Sequence, residues 1–124
     1  MLAYPSRFLR RGRHAWAGLR HLAATQPADF VAYGLTLAGQ HGMGLWLRVP
    51  ARDHALLWLA TSLVLFAETL NTAIERAVDR VGPERHVLSG LAKDLAAGAV
   101  FLSIFMAVVC AALVLGSAYL ARPS

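Results

Sequence analysis

The sequence predicts an all-α membrane protein built as one domain over residues 1–124, and three observations carry that prediction. Of the 124 residues, 57% are hydrophobic and only 15% are charged, which is too apolar for an ordinary soluble fold of this size. Apolar stretches long enough to cross a bilayer recur between short polar segments. The charges collect at the ends of those stretches, and of the seven acids only Glu68 lies within one of the two most apolar runs.

The elements follow in order. From 6 to 24, Phe8, Leu9, Trp16, Leu19 and Leu22 recur among Arg7, Arg10, Arg11, Arg13 and Arg20. That pattern describes an amphipathic helix lying in the membrane interface, with a solvated basic helix as the plainer reading. The N-terminus has no apolar core of the signal-peptide kind before Asp29, so the segment is expected to be retained. In "TQPAD", Pro27 lacks an N–H and biases Gln26 away from helix, so a break is expected there.

Residues 30–49 are long enough to span a hydrocarbon core of roughly 30 Å. Gln40, His41 and four glycines dilute this span, which predicts packing against protein rather than lipid. "RVPARDH" is a polar loop centred on Pro50. A second span runs from 55 to 81 with a polar extension, "GPER" ends it, and a third covers 89–120. Nine of the 12 basic residues fall before the first span or between Arg76 and Lys93, which the positive-inside rule places in the cytoplasm.

The net charge of +5 comes from 11 Arg and one Lys against seven acids, and it suits anionic lipid headgroups or phosphate. Nucleic acid is not the expected partner, because the basic residues flank apolar spans and form no soluble module. The single cysteine, Cys110, lies in an apolar run and predicts neither a disulfide nor a thiolate metal site.

The segment "ETLNTAIERAVDR", Glu68 to Arg80, is the candidate functional element. At 100° per residue Glu68, Asn71, Glu75 and Asp79 fall at about 0°, 300°, 340° and 20°, a stripe roughly 80° wide. A carboxylate at membrane depth costs about 2.5–3.5 kcal/mol on insertion scales, so the stripe should face protein, a wet cleft or a cation. Residues marking where the helix leaves the membrane would also produce Asp79 and Glu75, but not the deeper Glu68. Carboxylates grouped with an Asn suit Mg²⁺, whose shell phosphate oxygens complete. A deeper carboxylate suits proton abstraction from a hydroxyl. Lys93, beside Asp94 at the start of the last helix, is placed either to contact a phosphate or to snorkel. No Walker, dinucleotide-binding or zinc-ligand spacing occurs.

"E-x-L-N-T-A-I-E-x-x-V-D-R" from Glu68 and "H-x-L-S-G-x-A-K-D" from His86, with "W-x-G-L-R" from Trp16, resemble the prokaryotic diacylglycerol kinase family. The resemblance covers roughly residues 6 to 118. It implies a homotrimer of three-span subunits with shared active sites in the bacterial inner membrane. It also implies transfer of the γ-phosphoryl of MgATP to diacylglycerol, giving phosphatidic acid and ADP. In that family pattern Glu68 is the base on the lipid hydroxyl, Asn71 positions phosphate or base, Lys93 contacts the transferring phosphate, and Asp94 supports it. Arg7, Glu75, Asp79, His86, Gly90, Lys93 and Asp94 are the implied ATP-binding positions, and Glu75 the metal ligand. Trp16, Glu68 and Ala97 are the implied lipid positions.

Two departures qualify the resemblance. Gln26 or Pro27 stands where the family usually has a metal-binding Glu, and Asp29 is the candidate replacement. Ala97 replaces a Ser usual in the diacylglycerol branch and resembles the undecaprenol kinases, whereas "WAGLR" and "VDRVGPERHVLSG" resemble the diacylglycerol branch. Undecaprenol kinase is therefore the alternative, followed by a catalytically impaired scaffold of the same fold and a cation-binding or transport subunit.

Overall fold

A computed structural model of the chain describes the backbone of residues 4–81 and 87–122, with side chains for 11–80 and 87–122. All regular secondary structure among these residues is helical: α1 (Tyr4–Thr25), α2 (Pro27–Leu47), α3 (Ala51–Val81) and α4 (Val87–Leu120). The chain divides into two compact units, residues 1–32 and 33–124.

The first unit holds α1 and the opening of α2. The expected break at "TQPAD" shrinks to the single residue Gln26. Its N–H still donates to the Leu22 carbonyl at 2.8 Å, and its own carbonyl accepts from Phe30 at 3.4 Å. Pro27 is the first helical residue of α2, where a missing N–H costs no hydrogen bond and a fixed φ suits the helix. Asp29 lies in that first turn, where a carboxylate complements the positive end of the helix.

In the second unit the corner between α2 and α3 is tighter than the expected "RVPARDH" loop. Val49 N–H donates to the Gly44 carbonyl at 2.9 Å and Arg48 N–H to Leu45 at 3.1 Å, the pairing that closes a Schellman cap. The cap places Arg48 at φ 58°, a left-handed conformation ordinarily given to glycine. The carbonyl of Pro50 then accepts from Asp53 at 2.9 Å and His54 at 3.3 Å, and α3 begins four residues earlier than expected. Gly44 is required sterically, since a Cβ there would lie 2.7 Å from His54 Cε1 and 3.0 Å from Val49 Cγ2.

α3 and α4 form an antiparallel hairpin, the most extensive packing between helices in the unit. Ala96, Val100 and Ser103 recur at helical spacing on α4 and are buried, as are Leu57, Thr61 and Ala67 on α3. Small residues at such positions let two backbones approach closely. Thr61 and Ser103, the buried polar residues, are both satisfied: Ser103 Oγ donates to the Val100 carbonyl at 2.7 Å, and Thr61 Oγ1 accepts from Gln40.

Much of the rest of these helices is apolar and open, with Leu59 63% and Phe101 71% exposed. Surfaces of that extent are stable against lipid or against further protein, not against water. Among the described residues α3 and α4 are long and apolar enough to cross a membrane. With 31 residues α3 is about 46 Å long, so it outruns a hydrocarbon core of roughly 30 Å and carries its polar end beyond it. α2, at 21 residues, has the length of a span but lacks a stretch as apolar as those two helices carry.

Candidate active site at the polar end of the α3–α4 hairpin

The stretch from Glu68 to Arg80 continues α3 without interruption, because no Gly or Pro breaks it. Thr69 Oγ1 donates to the Leu65 carbonyl at 2.7 Å. A rigid helix fixes depth. At 1.5 Å per residue Glu75 lies about 10 Å and Asp79 about 16 Å further along the axis than Glu68.

Asn71 Nδ2 donates to Glu75 Oε1 at 3.1 Å, one turn on, and both side chains are half-buried. The other end of the same amide, Oδ1, is buried and has no hydrogen-bond partner. An orphaned buried carbonyl costs about 1–3 kcal/mol unless a donor or cation reaches it. Glu68 is half-buried as well.

Lys93 comes from the second turn of α4. Its Nζ lies 2.5 Å from Asp79 Oδ1, and the side chains are 39% and 65% exposed. The antiparallel hairpin therefore brings the lysine to the outer end of the acidic stripe, pairing it with Asp79 and not with its sequence neighbour Asp94, which is exposed. An ion pair this open is worth at most about 1 kcal/mol, so an incoming phosphate can replace Asp79 at little cost.

The remaining expected positions are placed less closely. Gly90 and Ala97 are exposed on α4, and a Cβ at Gly90 would meet nothing within 4 Å. Trp16, 66% exposed, and Asp29, also exposed, belong to the 1–32 unit. The side chain of Arg7, and His86 altogether, lie outside the described residues. Among the described residues no three His, Cys, Asp or Glu side chains gather as a metal cage.

One polar feature was legible only as a dilution of the first span. Gln40 Nε2 donates to Thr61 Oγ1 at 2.7 Å and to the Leu57 carbonyl at 3.2 Å, and Tyr33 and Ser62 hydroxyls pair at 3.2 Å. His41 and His54 approach at 2.8 Å between their Nδ1 atoms, with rings stacked 5.1 Å apart. These contacts tie α2 to α3 through side chains that lipid could not satisfy, which is the packing against protein that the dilution predicted. Near the same corner, Arg122 lies 4.0 Å over the Trp46 ring and donates to its carbonyl at 3.4 Å.

A membrane-embedded helical hairpin with a carboxylate–amide row and one lysine at its polar end has the elements of a phosphoryl-transfer site. The comparisons with known proteins agree. The model of the family Prokaryotic diacylglycerol kinase matches residues 13–115. Diacylglycerol kinase of Escherichia coli (strain K12) is 38% identical over 104 residues, 84% of each chain. Diacylglycerol kinase of Synechocystis sp. (strain ATCC 27184 / PCC 6803 / Kazusa) is 41% identical over 98 residues, covering 78% of this chain and 55% of its own. Undecaprenol kinase of Bacillus subtilis (strain 168) is 30% identical over 105 residues, 85% of this chain and 83% of its own. The chain belongs to the prokaryotic diacylglycerol kinase family and is a lipid kinase, a phosphotransferase of the diacylglycerol kinase type.

Proposed function

We propose that the protein transfers the γ-phosphoryl group of ATP to the free hydroxyl of diacylglycerol, yielding phosphatidic acid, ADP and a proton. The observation that carries this reading is the 38% identity to a diacylglycerol kinase along 84% of the chain, beside the Glu68–Asn71–Glu75–Asp79 row on one face of α3. Depth sorts the roles. Glu68, about 10 Å deeper than Glu75, takes the proton from the lipid hydroxyl at the membrane boundary. Asn71 lies between them and orients the carboxylate to which it donates.

Mg²⁺ bound with the nucleotide would supply neutralisation of the charge on the transferring group. The residues fit it: Glu75 offers a hard carboxylate, and the unpartnered Oδ1 of Asn71 lies beside it as a second oxygen. Mg²⁺ characteristically takes one or two carboxylates and leaves the rest of its shell to phosphate and water. Asp29 is the proposed further carboxylate. Lys93 leaves Asp79 for the transferring phosphate, and Asp94 keeps it oriented. Arg7, Asp79, His86 and Gly90 complete the nucleotide end, while Trp16 and Ala97 line the lipid approach. In the assembly we propose, α2 makes a third crossing, three subunits share their sites, and Lys93 meets a neighbour's row. The polar ends face the cytoplasm from the inner membrane.

The 30% identity to an undecaprenol kinase, together with Ala97, favours a second reading in which the acceptor is a polyprenol. Purified full-length protein in mixed micelles, given Mg²⁺, labelled ATP and the two lipids in parallel, decides between them. Label in phosphatidic acid is expected. Label mainly in the polyprenol overturns the acceptor, and label in neither lipid overturns the kinase reading. Glu68→Gln is expected to abolish transfer while nucleotide binding persists.

A further inference from the structure

Two histidines from different helices meet where α2 turns into α3, and the row at the other end of α3 makes no use of them. His41 Nδ1 and His54 Nδ1 are 2.8 Å apart, so one nitrogen carries a proton and the other accepts it. The donor is identified by His54 Nε2, which is buried and has no hydrogen-bond partner among the described residues. Gly44 closes over that end of the ring, since a Cβ there would lie 3.2 Å from Nε2. A proton on Nε2 would be a buried donor without an acceptor, so His54 carries its proton on Nδ1 and donates it to His41. His41, which is half-buried, then holds its own proton on Nε2.

We infer that this contact is an acid-released latch: a neutral histidine pair holds the start of α3 to α2, and uptake of one further proton opens it. Added to His54, that proton makes Nε2–H a charged donor buried without an acceptor. Added to His41, it sets one Nδ1–H against the other, and the bond re-forms only when His54 moves its proton to the same buried Nε2. Every charged form of the closed pair therefore has an unpaired donor at Nε2, which water solvates once the corner opens. The closed corner binds fewer protons than the open one, so acid favours opening. Histidine is the side chain whose ordinary titration falls between pH 5 and 8.

The surroundings offer the extra charge no counterion. The charged groups at the corner are Arg48, Arg52 and Asp53, with Arg122 and the phenol of Tyr119 at the end of α4. The Asp53 carboxylate lies 3.5 Å from Arg52 Nε, and Arg122 lies over the Trp46 ring. Among the described residues neither histidine has an ion-pair partner. The other α2–α3 contacts, Gln40 with Thr61 and Tyr33 with Ser62, contain no group that ordinarily changes charge in that range, so release is confined to the corner. His54 lies about 21 Å along the helix axis from Glu68, so the latch is separate from the row. A shared cation does not account for the contact, because two nitrogens on a tetrahedral ion at about 2.0–2.1 Å stand roughly 3.3–3.4 Å apart.

The test is nitrogen-15 solid-state NMR of full-length, histidine-labelled protein in bilayers at pH 7.5 and pH 5. A cross-peak between the two Nδ1 nuclei and an unprotonated His54 Nε2 are expected at pH 7.5. At pH 5 the cross-peak should vanish as the open-to-closed ratio rises by roughly tenfold or more. A cross-peak that persists at pH 5, its absence at pH 7.5, or a protonated His54 Nε2 at pH 7.5 overturns the inference. His54→Asn supplies the second measurement. Its amide donates through Nδ2 to a neutral His41 and accepts through Oδ1 from a charged one, so the variant keeps a bond at either pH. Between pH 7.5 and pH 5 the unfolding midpoint of the unsubstituted protein should fall about 4 °C further than that of the variant. Equal falls overturn the latch. Binding of one Zn²⁺ per chain at pH 7.5 that His54→Asn abolishes would make the pair a metal site and also overturn it.

Discussion

Replacing Asn71 by Leu separates the amide's contribution to stability from its contribution to chemistry. The substitution removes the 3.1 Å donation to Glu75 Oε1, and a hydrogen bond to a charged acceptor is worth about 1.5–3 kcal/mol. It also removes the buried Oδ1 that has no partner, relieving a desolvation cost of about 1–3 kcal/mol. The two contributions are of similar size and opposite sign, so the net change in stability is expected within about 1 kcal/mol of zero. Transfer should nonetheless fall on the order of 10²-fold, because Glu75 loses the group that orients it. Asn71→Asp has nearly the same shape and the opposite balance. It sets a second carboxylate about 3 Å from the first, a repulsion of about 5 kcal/mol at an effective dielectric of 20 before relaxation, so it should destabilise clearly more than Leu. Thermal unfolding in one detergent, alongside phosphate transfer in mixed micelles, measures both quantities. A loss above about 2 kcal/mol in the Leu variant would mean that the carbonyl is satisfied in the folded protein, and the reasoning would fail.

Other outcomes follow from the same geometry. Lys93→Arg is expected to recover little of the activity lost in Lys93→Met, since a planar fork cannot stand in for a compact ammonium on one phosphate oxygen; near-complete recovery in the transfer assay would refute this. Asp79→Asn should change stability by less than about 1 kcal/mol, because the pair it breaks is largely exposed, and the unfolding midpoint checks it. Gly44→Ala should destabilise by about 1–3 kcal/mol through contact with His54, as a lowered unfolding midpoint would register. Arg48→Gly should raise that midpoint by relieving a left-handed residue at a cap, a gain of up to about 1 kcal/mol.

The helices were legible in the sequence as segments, since all regular secondary structure among the described residues is helical. Their starts were misjudged by two to four residues, because caps at Pro27 and Pro50 depend on backbone hydrogen bonds that hydropathy does not encode. The row from Glu68 to Asp79 was also legible, because helical periodicity alone fixes which side chains of one rigid element share a face. What periodicity could not supply was any pairing between elements. Lys93 and Asp79 are 14 residues apart, and Gln40 and Thr61 are 21 apart. Only the antiparallel closure of the helices brings them together, and only the closure shows that Gln40 and His41 weaken α2 as a lipid-facing span because they bond to α3. The sequence by itself thus determined the elements, their membrane character and the acidic face. The tertiary structure decided which polar groups meet, leaving one amide oxygen of Asn71 buried beside Glu75 with its partner still to be supplied.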